Sequence, residues 1–237
     1  MFIQLPNAFG DPPANMAIDA ALPAALPEGA AVFRHYGWTA PSATFGYAQK
    51  IADVRAATPP DIRLCRRITG GGIVDHRDDW TYALALQSDL PAVREPATRL
   101  YATLHACLRD ALADTGVEAE LAPCPRHCGE SPAAAAAADQ CFVRAAANDV
   151  VRPGGPKIAG AAMRRSREGL LVQGSVAREA LPADFDWTAF ADAFPANLAR
   201  ALGLRPHTPE DLRALFDGER IEAEKRRFAD TAWTERR

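Results

Sequence analysis

A lysine among very small side chains is the first feature of this chain that could do chemistry. The segment Lys157-Ile158-Ala159-Gly160-Ala161-Ala162 is typical of a strand, and a two-residue period predicts that Lys157, Ala159 and Ala161 share one face. A ligand could lie directly against the backbone there. The ammonium could then hold a carbonyl or phosphate oxygen and stabilise charge that develops on it. A solvated lysine on an edge strand would give the same pattern, so the segment alone leaves both interpretations open.

A glycine-rich segment is the second such feature. Arg66 and Arg67 precede Gly70-Gly71-Gly72, and His76 follows four residues later. Consecutive glycines favour unusual backbone angles or close approach to a ligand, and such a loop can aim several N–H groups at oxygen atoms. The arginines could bind a phosphate or carboxylate. The spacing matches neither the Walker pattern nor Gly-x-Gly-x-x-Gly, and a flexible loop remains an equal interpretation.

The cysteines do not predict a metal site. Cys124 and Cys128 flank His127, but no second ligand pair lies nearby, whereas a structural zinc site needs four ligands. The chain has five cysteines, an odd number that argues against a disulfide framework. We therefore expect loop thiols and no bound metal.

The elements that would position these segments form an α+β fold. Residues 15–26 and 94–115 have helical periodicity, and residues 31–36, 45–47 and 81–87 are predicted strands. Thr208-Pro209-Glu210-Asp211 has the composition of a helix start. Turn residues separate four further strands, which predict an antiparallel meander; these strands are residues 140–143, 149–152, 157–164 and 170–176.

Composition excludes several classes of protein. The 237 residues include 48% hydrophobic and 24% charged residues, which is ordinary for a globular enzyme. A net charge of −3 argues against general nucleic-acid binding. No apolar run is long enough to cross a membrane, and residues 1–10 lack the features of a signal peptide. We expect a cytoplasmic protein with no nucleic-acid or membrane partner.

The combination of segments resembles the lipoate–protein ligase A and octanoyltransferase family. Arg66 to His76 matches Arg-Arg-x-x-Gly-Gly-Gly-x-Val-x-His, and Asn15 to Asp19 resembles the opening helix of the family. Asn-Asp-x-Val, Lys-Ile-x-Gly-x-Ala and Gln-Gly-Ser follow at residues 148–151, 157–162 and 173–175. Ala20, Met163 and Gln173 depart from residues common in relatives, which bears more on the substrate than on the class.

The resemblance implies the catalytic-domain fold of biotin and lipoate ligases, with helices packed on a largely antiparallel mixed sheet. It implies an acyl-binding tunnel between sheet and loop, with Lys157 contacting the acyl group. The residues expected to bind substrate are Arg66, Arg67, Gly70, Gly71, Gly72, His76, Gly160 and Ala161. No cofactor is expected to stay bound, because the octanoyl or lipoyl group is a substrate.

Cys141 decides between two activities that the resemblance allows. Similar octanoyltransferases have a nucleophilic cysteine on this stretch, and Cys141 precedes Lys157 by 16 residues. A thiolate could accept the acyl group as a thioester and pass it to an amine, although a small buried core residue is an equal interpretation. The chain looks like a single catalytic domain over residues 1–237 without the accessory domain of the ligases. Both points favour transfer from octanoyl carrier protein to a lipoyl domain of a 2-oxoacid dehydrogenase or glycine cleavage H protein.

Three alternatives remain at this point. An ATP- and magnesium-dependent lipoate–protein ligase would need a separate accessory chain. A non-catalytic acyl or nucleotide sensor could share the fold, because fold does not fix function. A biotin ligase ranks low, because the Gly-Arg-Gly-Arg loop typical of that enzyme is absent.

Overall fold

The computed structural model describes residues 1–123 and 145–236. Cys124, His127, Cys128 and Cys141 lie outside this part of the chain, as does the predicted strand at residues 140–143. In the described part, the elements form the predicted α+β architecture, with one large mixed sheet, one small sheet and helices on both faces.

The large sheet has eight described strands. Three consecutive ones, β9 (Val150–Val151), β10 (Lys157–Arg165) and β11 (Gly169–Ala177), pair antiparallel and confirm that part of the predicted meander. The remaining strands are β1 (Phe2–Gln4), β2 (Ala8–Gly10), β3 (Ala31–Trp38), β7 (Asp79–Gln87) and β8 (Glu120–Leu121). The strand order is β1-β3-β7-β11-β10-β9-β8, and β2 also pairs with β3.

The small sheet carries the loop that faces the large sheet. Its strands are β4 (Ser42–Phe45), β5 (Arg63–Arg66) and β6 (Val74–Asp75), in the order β5-β4-β6. The three glycines at 70–72 connect β5 to β6. The segment predicted as a strand at 45–47 is therefore a strand only up to Phe45.

Proline and acidic caps set the helix boundaries. The helix α1 (Pro12–Ala25) begins after Asp11, which accepts a hydrogen bond from the Ala14 N–H. The helix predicted over 94–115 is interrupted before Ala97, where Pro96 restricts the preceding residue. The other described helices are α2 (Ile51–Ala57), α3 (Pro91–Arg94), α4 (Ala97–Asp114), α5 (Trp187–Ala201), α6 (Gly218–Ala229) and α7 (Thr231–Glu235).

The predicted helix start at Thr208 is wrong. Residues 207–209 have no regular structure, a short 3₁₀ turn covers Leu212–Leu215 after the cap Asp211, and α6 begins after the cap Asp217. Both caps accept backbone N–H bonds. Three capping-type residues occur within ten positions, and the sequence does not show which one begins the longer helix.

The two faces of the large sheet have different characters. One face packs against α4 and α5 through the main hydrophobic core, in which Phe33, Trp80 and Phe194 contact each other. The other face lies beneath α1, α6 and the small sheet, and it presents polar side chains such as Arg34 and Gln173. A polar face that is nevertheless buried is where a site is expected.

A bulge corrects the predicted orientation of the lysine strand. Lys157 pairs with Val151 and Ala159 with Val150, so two steps on β10 match one on β9. The alternation of side chains is lost at this point. Ala159 lies in the main core, whereas Gly160 lies beside the lysine ammonium. The prediction that Lys157 and Ala159 share one face is therefore wrong.

Among the described residues, we find no helix that is both long and apolar enough to span a bilayer.

Candidate active site

A narrow pocket lies between the polar face of the large sheet and the glycine-rich loop. Its empty volume is about 400 Å³, part of which is open to solvent. The loop supplies Gly71 and Arg67, and His76 follows it on the same wall. The opposite wall is strand backbone with small side chains and one longer polar side chain, that of Gln173; the other residues there are Gly160, Ala161, Ala162, Gly174 and Ser175. Five predicted site residues therefore meet around one cavity: Arg67, Gly71, His76, Gly160 and Ala161.

The Lys157 ammonium is buried and paired, and it lies beside Gly160 of the pocket wall without itself lining the pocket. Its Nζ lies 2.8 Å from Oδ2 of Asp149, and the two side chains are 5% and 1% exposed. Asp149 stands directly before β9, so the antiparallel pairing of β9 with β10 brings the two residues together. A cation held beside a tunnel of small residues can orient a carbonyl oxygen and stabilise charge on it.

Gly160 leaves the space that the lysine occupies. A Cβ atom at this position would lie 2.5 Å from Nζ and 2.7 Å from Cε of Lys157. No side chain fits at those distances, so the ammonium can lie over the strand only because residue 160 is glycine. Gly160 also lines the pocket, which places the ammonium next to the cavity.

Tyr101 on α4 fixes the carboxylate that holds the lysine. Its hydroxyl donates to Oδ1 of Asp149 at 2.5 Å and accepts from the backbone N–H of Ala161 at 3.0 Å. The Ala146 N–H donates to the other carboxylate oxygen. Burial, followed by the charge of Asp149, raises the pKa of Tyr101 well above its usual range. Tyr101 therefore remains a neutral donor and connects α4 to the lysine pair.

His105 supports the same cluster from one turn along α4. Its Nδ1 lies 2.6 Å from the carbonyl oxygen of Asn148, which can only accept, so Nδ1 carries the proton. Asn148 has a left-handed backbone with φ 66°, and this carbonyl bond holds it in that conformation. Burial lowers the pKa of His105 to about 4, so the ring is neutral at neutral pH.

The glycine-rich loop is held by Arg67. One guanidinium nitrogen donates to the carbonyls of Gly70 and Gly72, at 2.8 and 2.9 Å. Gly71 lies between them with φ +86°, which L side chains rarely adopt. The carbonyl of Gly71 packs so tightly on residue 46 that a Cβ there would lie 2.0 Å from its oxygen. Gly70 and Gly72 are thus placed to shape the loop, and Gly71 lines the pocket.

Arg66 does not line the pocket. Its guanidinium donates to five backbone carbonyls, which belong to Tyr47, Gln49, Trp233, Thr234 and Arg236. These bonds tie β5 to the chain after β4 and to α7. Since its contacts are with the protein's own backbone, we do not include Arg66 among the residues proposed to bind substrate.

His76 belongs to a buried polar network in the pocket wall. Its Nδ1 lies 2.8 Å from Oδ2 of Asp79, and its Nε2 lies 2.8 Å from Oγ1 of Thr44. The Trp38 ring stacks on the imidazole at 4.0 Å between centroids. The Ser175 hydroxyl also donates to Asp79. The imidazole is therefore fixed as part of the wall, with its ring face against tryptophan.

A second polar network, which sequence reasoning missed, closes the pocket beside Met16. Asp19 is fully buried and pairs with Arg34 at 2.7 Å. It also accepts from the Tyr36 hydroxyl and from Nε2 of Gln173. Thr69 of the loop donates to Oε1 of Gln173. Gln173 therefore links α1, the loop and β11. The sequence placed Asp19 and Gln173 in two separate motifs and did not predict that they contact each other.

The two cysteines in the described part of the chain are poor nucleophiles. Cys65 and Cys107 are both buried, and neither lines the pocket. Burial raises the pKa of Cys65 to about 12 and that of Cys107 to about 11. Both therefore stay protonated at neutral pH. No group of three or more metal-ligating side chains occurs within residues 1–123 and 145–236.

Comparisons with known proteins agree on one family. The sequence model of the lipoyl protein ligase A/B catalytic domain matches residues 11–200. An octanoyltransferase LipM from Moorella thermoacetica is 30% identical, over 73% of this chain and 63% of that protein. The LipM of Symbiobacterium thermophilum is also 30% identical, over 81% of this chain and 83% of that protein. The chain thus spans less than two thirds of the length of the Moorella relative.

Solved structures share the fold. A bipartite lipoate protein ligase of Thermoplasma acidophilum, from a study that included its E2 lipoyl domain, superimposes with a TM-score of 0.67. The identity is 19%, over 98% of this chain and 95% of that one. LipL1 of P. falciparum in complex with lipoate gives a TM-score of 0.68 at 10% identity, over 100% of this chain and 74% of that one.

Proposed function

Because the chain belongs to the lipoyl protein ligase A/B catalytic-domain family, we propose that it transfers an octanoyl group onto a lysine of a partner protein. The donor is octanoyl carrier protein. The acceptor is a lipoyl domain of a 2-oxoacid dehydrogenase or the glycine cleavage H protein. Relatives at 30% identity that are named octanoyltransferase support this choice.

The observation that carries the proposal is the buried Lys157 ammonium beside a pocket with apolar and glycine walls. An acyl chain lies along Gly160, Ala161 and Ala162, with Gly71 above it. The ammonium then contacts the carbonyl oxygen and stabilises the negative charge of the tetrahedral intermediate. Asp149 and Tyr101 act as positioning residues, since they hold the ammonium and do not touch the acyl group.

The proposed nucleophile is Cys141, a prediction that lies outside the described residues. Its thiolate attacks the carbonyl carbon of the donor thioester, the bond from that carbon to the donor sulfur breaks, and the donor thiolate takes up a proton from solvent. The neutral acceptor amine then attacks the new thioester, its nitrogen gives up one proton to solvent as the amide forms, and the Cys141 thiolate is released. Since the described Cys65 and Cys107 stay protonated and lie away from the pocket, they do not compete for this role.

Mass spectrometry of the purified protein mixed with octanoyl carrier protein, without ATP, tests the proposal. We expect one octanoyl group on Cys141, released by hydroxylamine, and its transfer to a lipoyl domain. Cys141→Ser should lose transfer or trap a stable ester, whereas Cys124→Ser and Cys128→Ser should remain active. No adduct and no transfer without ATP would refute the transferase.

The same assay separates the alternatives. Acyl transfer that requires ATP, magnesium and lipoate would identify a lipoate–protein ligase acting through a lipoyl-adenylate. Binding of octanoate without transfer under either condition would favour a sensor. Lys157→Ala should abolish transfer and leave the fold intact, and Lys157→Arg should transfer poorly, because a planar guanidinium does not fit the narrow space over Gly160.

A further inference from the structure

A second cavity, outside the proposed acyl pocket, is lined by four arginines. Its empty volume is about 790 Å³. Arg164 comes from the end of β10, Arg220 and Arg227 from α6, and Arg236 from the end of α7. We refer to the space between these four side chains as the arginine cleft. The cleft and the acyl pocket are next to each other along β11: Gln173 lines the pocket, and Leu171, two residues earlier on the same strand, lines the cleft.

The carboxylates of the cleft do not balance its positive charge. Two glutamates, Glu168 and Glu224, line it together with the four arginines. Arg220 pairs with Glu168 at 2.6 Å. The Nη2 atom of Arg227 lies 2.8 Å from Oε2 of Glu224. The two groups form an ion pair, but they do not have the geometry of a hydrogen bond. Two positive charges therefore remain in excess among the lining residues.

Two of the guanidinium groups contact the same aromatic ring. The guanidinium carbons of Arg227 and Arg236 lie 4.6 and 4.9 Å from the centre of the Trp233 ring, and Arg236 also lies 4.7 Å from that of Tyr47. Ring contacts of this kind stabilise a cation but do not use its N–H donors. Burial lowers the pKa of Arg227, Glu224 raises it, and the charges of Arg164 and Arg236 lower it further.

Two of the donors in the cleft lack an acceptor. The Nε atoms of Arg220 and Arg227 are buried, and neither has a hydrogen-bond partner among the described residues. A buried N–H without an acceptor costs free energy, and the guanidinium groups of like charge repel one another. The side chains of Arg220 and Arg227 are nevertheless 32% and 40% exposed. An anion in the cleft would accept hydrogen bonds from their outer N–H groups and offset the repulsion.

We propose that the arginine cleft binds a phosphate-type oxyanion. Guanidinium groups donate paired N–H bonds to tetrahedral oxyanions and do so more strongly than neutral donors. A dianion matches the excess of two positive charges. The acyl pocket is separated from the cleft by the Asp19–Gln173–Thr69 network, so this binding does not depend on the proposed transfer reaction.

Isothermal titration calorimetry tests the proposal, with the ionic strength held constant by a chloride salt. Inorganic phosphate should bind saturably, and Arg227→Gln should weaken it about tenfold or more, as expected for loss of a charge-assisted bond. Arg226→Gln is the matched control, because Arg226 is the next residue of α6, is exposed, and does not line the cleft. Arg226→Gln also removes one positive charge, but from an exposed position outside the cleft, so the affinity for phosphate should change by no more than about twofold.

Two further titrants identify the source of the anion. Glycerol phosphate that binds as tightly as phosphate would indicate a phosphoryl group on a larger molecule, whereas binding of inorganic phosphate alone would indicate the free ion; either supports the cleft. Dimethyl phosphate, with one charge, should bind more weakly than both.

Three results would overturn the proposal. They are no saturable heat with phosphate, equal binding by dimethyl phosphate, and equal weakening by Arg226→Gln and Arg227→Gln. If Arg227→Gln does not fold by circular dichroism, Arg220→Gln replaces it, because it removes the other unpartnered Nε.

Discussion

A methyl group at position 160 would test whether the lysine ammonium must lie where the structure places it. The added Cβ would lie 2.5 Å from Nζ and 2.7 Å from Cε of Lys157, and 3.1 Å from Oδ1 of Asp149. Contacts this short cannot persist, and the end of a lysine side chain moves more easily than a paired strand. We therefore expect Gly160→Ala to displace the ammonium from Asp149.

The expected magnitudes follow from the burial of the pair. Removing one partner of a buried ion pair costs about 3–5 kcal/mol. The ammonium is displaced rather than deleted, and Tyr101 and Ala146 still donate to Asp149, which favours the lower end. Alanine in a strand regains about 0.5–1 kcal/mol relative to glycine. We expect a net loss of about 2–3 kcal/mol and a fall in kcat of about 10²–10³, as for loss of one preorganised donor.

A double-mutant cycle on the free energy of unfolding separates this effect from a general strand defect. In the Lys157→Ala background, only the 3.1 Å contact with Oδ1 of Asp149 remains, so Gly160→Ala should change the unfolding free energy by less than about 1 kcal/mol. Urea unfolding of the four proteins and the octanoyl-transfer rate of the wild type and Gly160→Ala give the result. An equal cost in both backgrounds, or a wild-type rate for Gly160→Ala, would refute the reasoning.

Three further predictions concern the loop and the supporting cluster. Gly71→Val should abolish transfer. Gly203 also has a positive φ, +67°, but open space around it, so Gly203→Val should lose stability and keep activity in the same assay. Tyr101→Phe leaves the Ala161 N–H without its acceptor and should cost about 1–3 kcal/mol in urea unfolding, with a lower kcat and little change in KM. Burial lowers the pKa of His105 from 6.5 to about 4, so the unfolded state takes up a proton at a higher pH than the folded state does. The free energy of unfolding should therefore fall by up to about 1.4 kcal/mol per pH unit as the pH drops from 6.5 towards 4. His105→Gln should reduce this slope, and an unchanged slope between pH 7 and 5 would contradict the assignment.

The sequence predicted the segments that form the pocket because their chemistry is local. Three adjacent glycines and a lysine among alanines are unusual whatever surrounds them, and the meander of β9, β10 and β11 follows from its turns. The bulge at Lys157 could not be predicted from the local sequence. A bulge adds one unpaired residue and leaves the pattern of apolar and polar residues looking like a regular strand, so the predicted orientation of Ala159 was wrong.

The residues that support the site were missed for a different reason. Tyr101 stands in α4 at a position that fits an ordinary amphipathic helix, and only the packing of α4 against β10 gives its hydroxyl two partners. Asp19 and Gln173 are separated by 154 positions. Interactions between such distant residues depend on the tertiary fold and have no local signature, whereas the Asp149–Lys157 pair lies within one hairpin and can be anticipated from strand pairing.

The guanidinium of Arg66 links the local unfolding of two regions that are far apart in the chain. It bonds to carbonyls after β4 and to carbonyls of the last described turn, 167 to 170 positions away. If one group of carbonyls moved away while the other still held the guanidinium, buried N–H donors of Arg66 would be left unpaired. The segment after β4 and α7 therefore belong to one unit of local unfolding. Amide hydrogens in both regions should exchange with deuterium at a common rate, and a substitution that loosens one region should raise the opening frequency of the other.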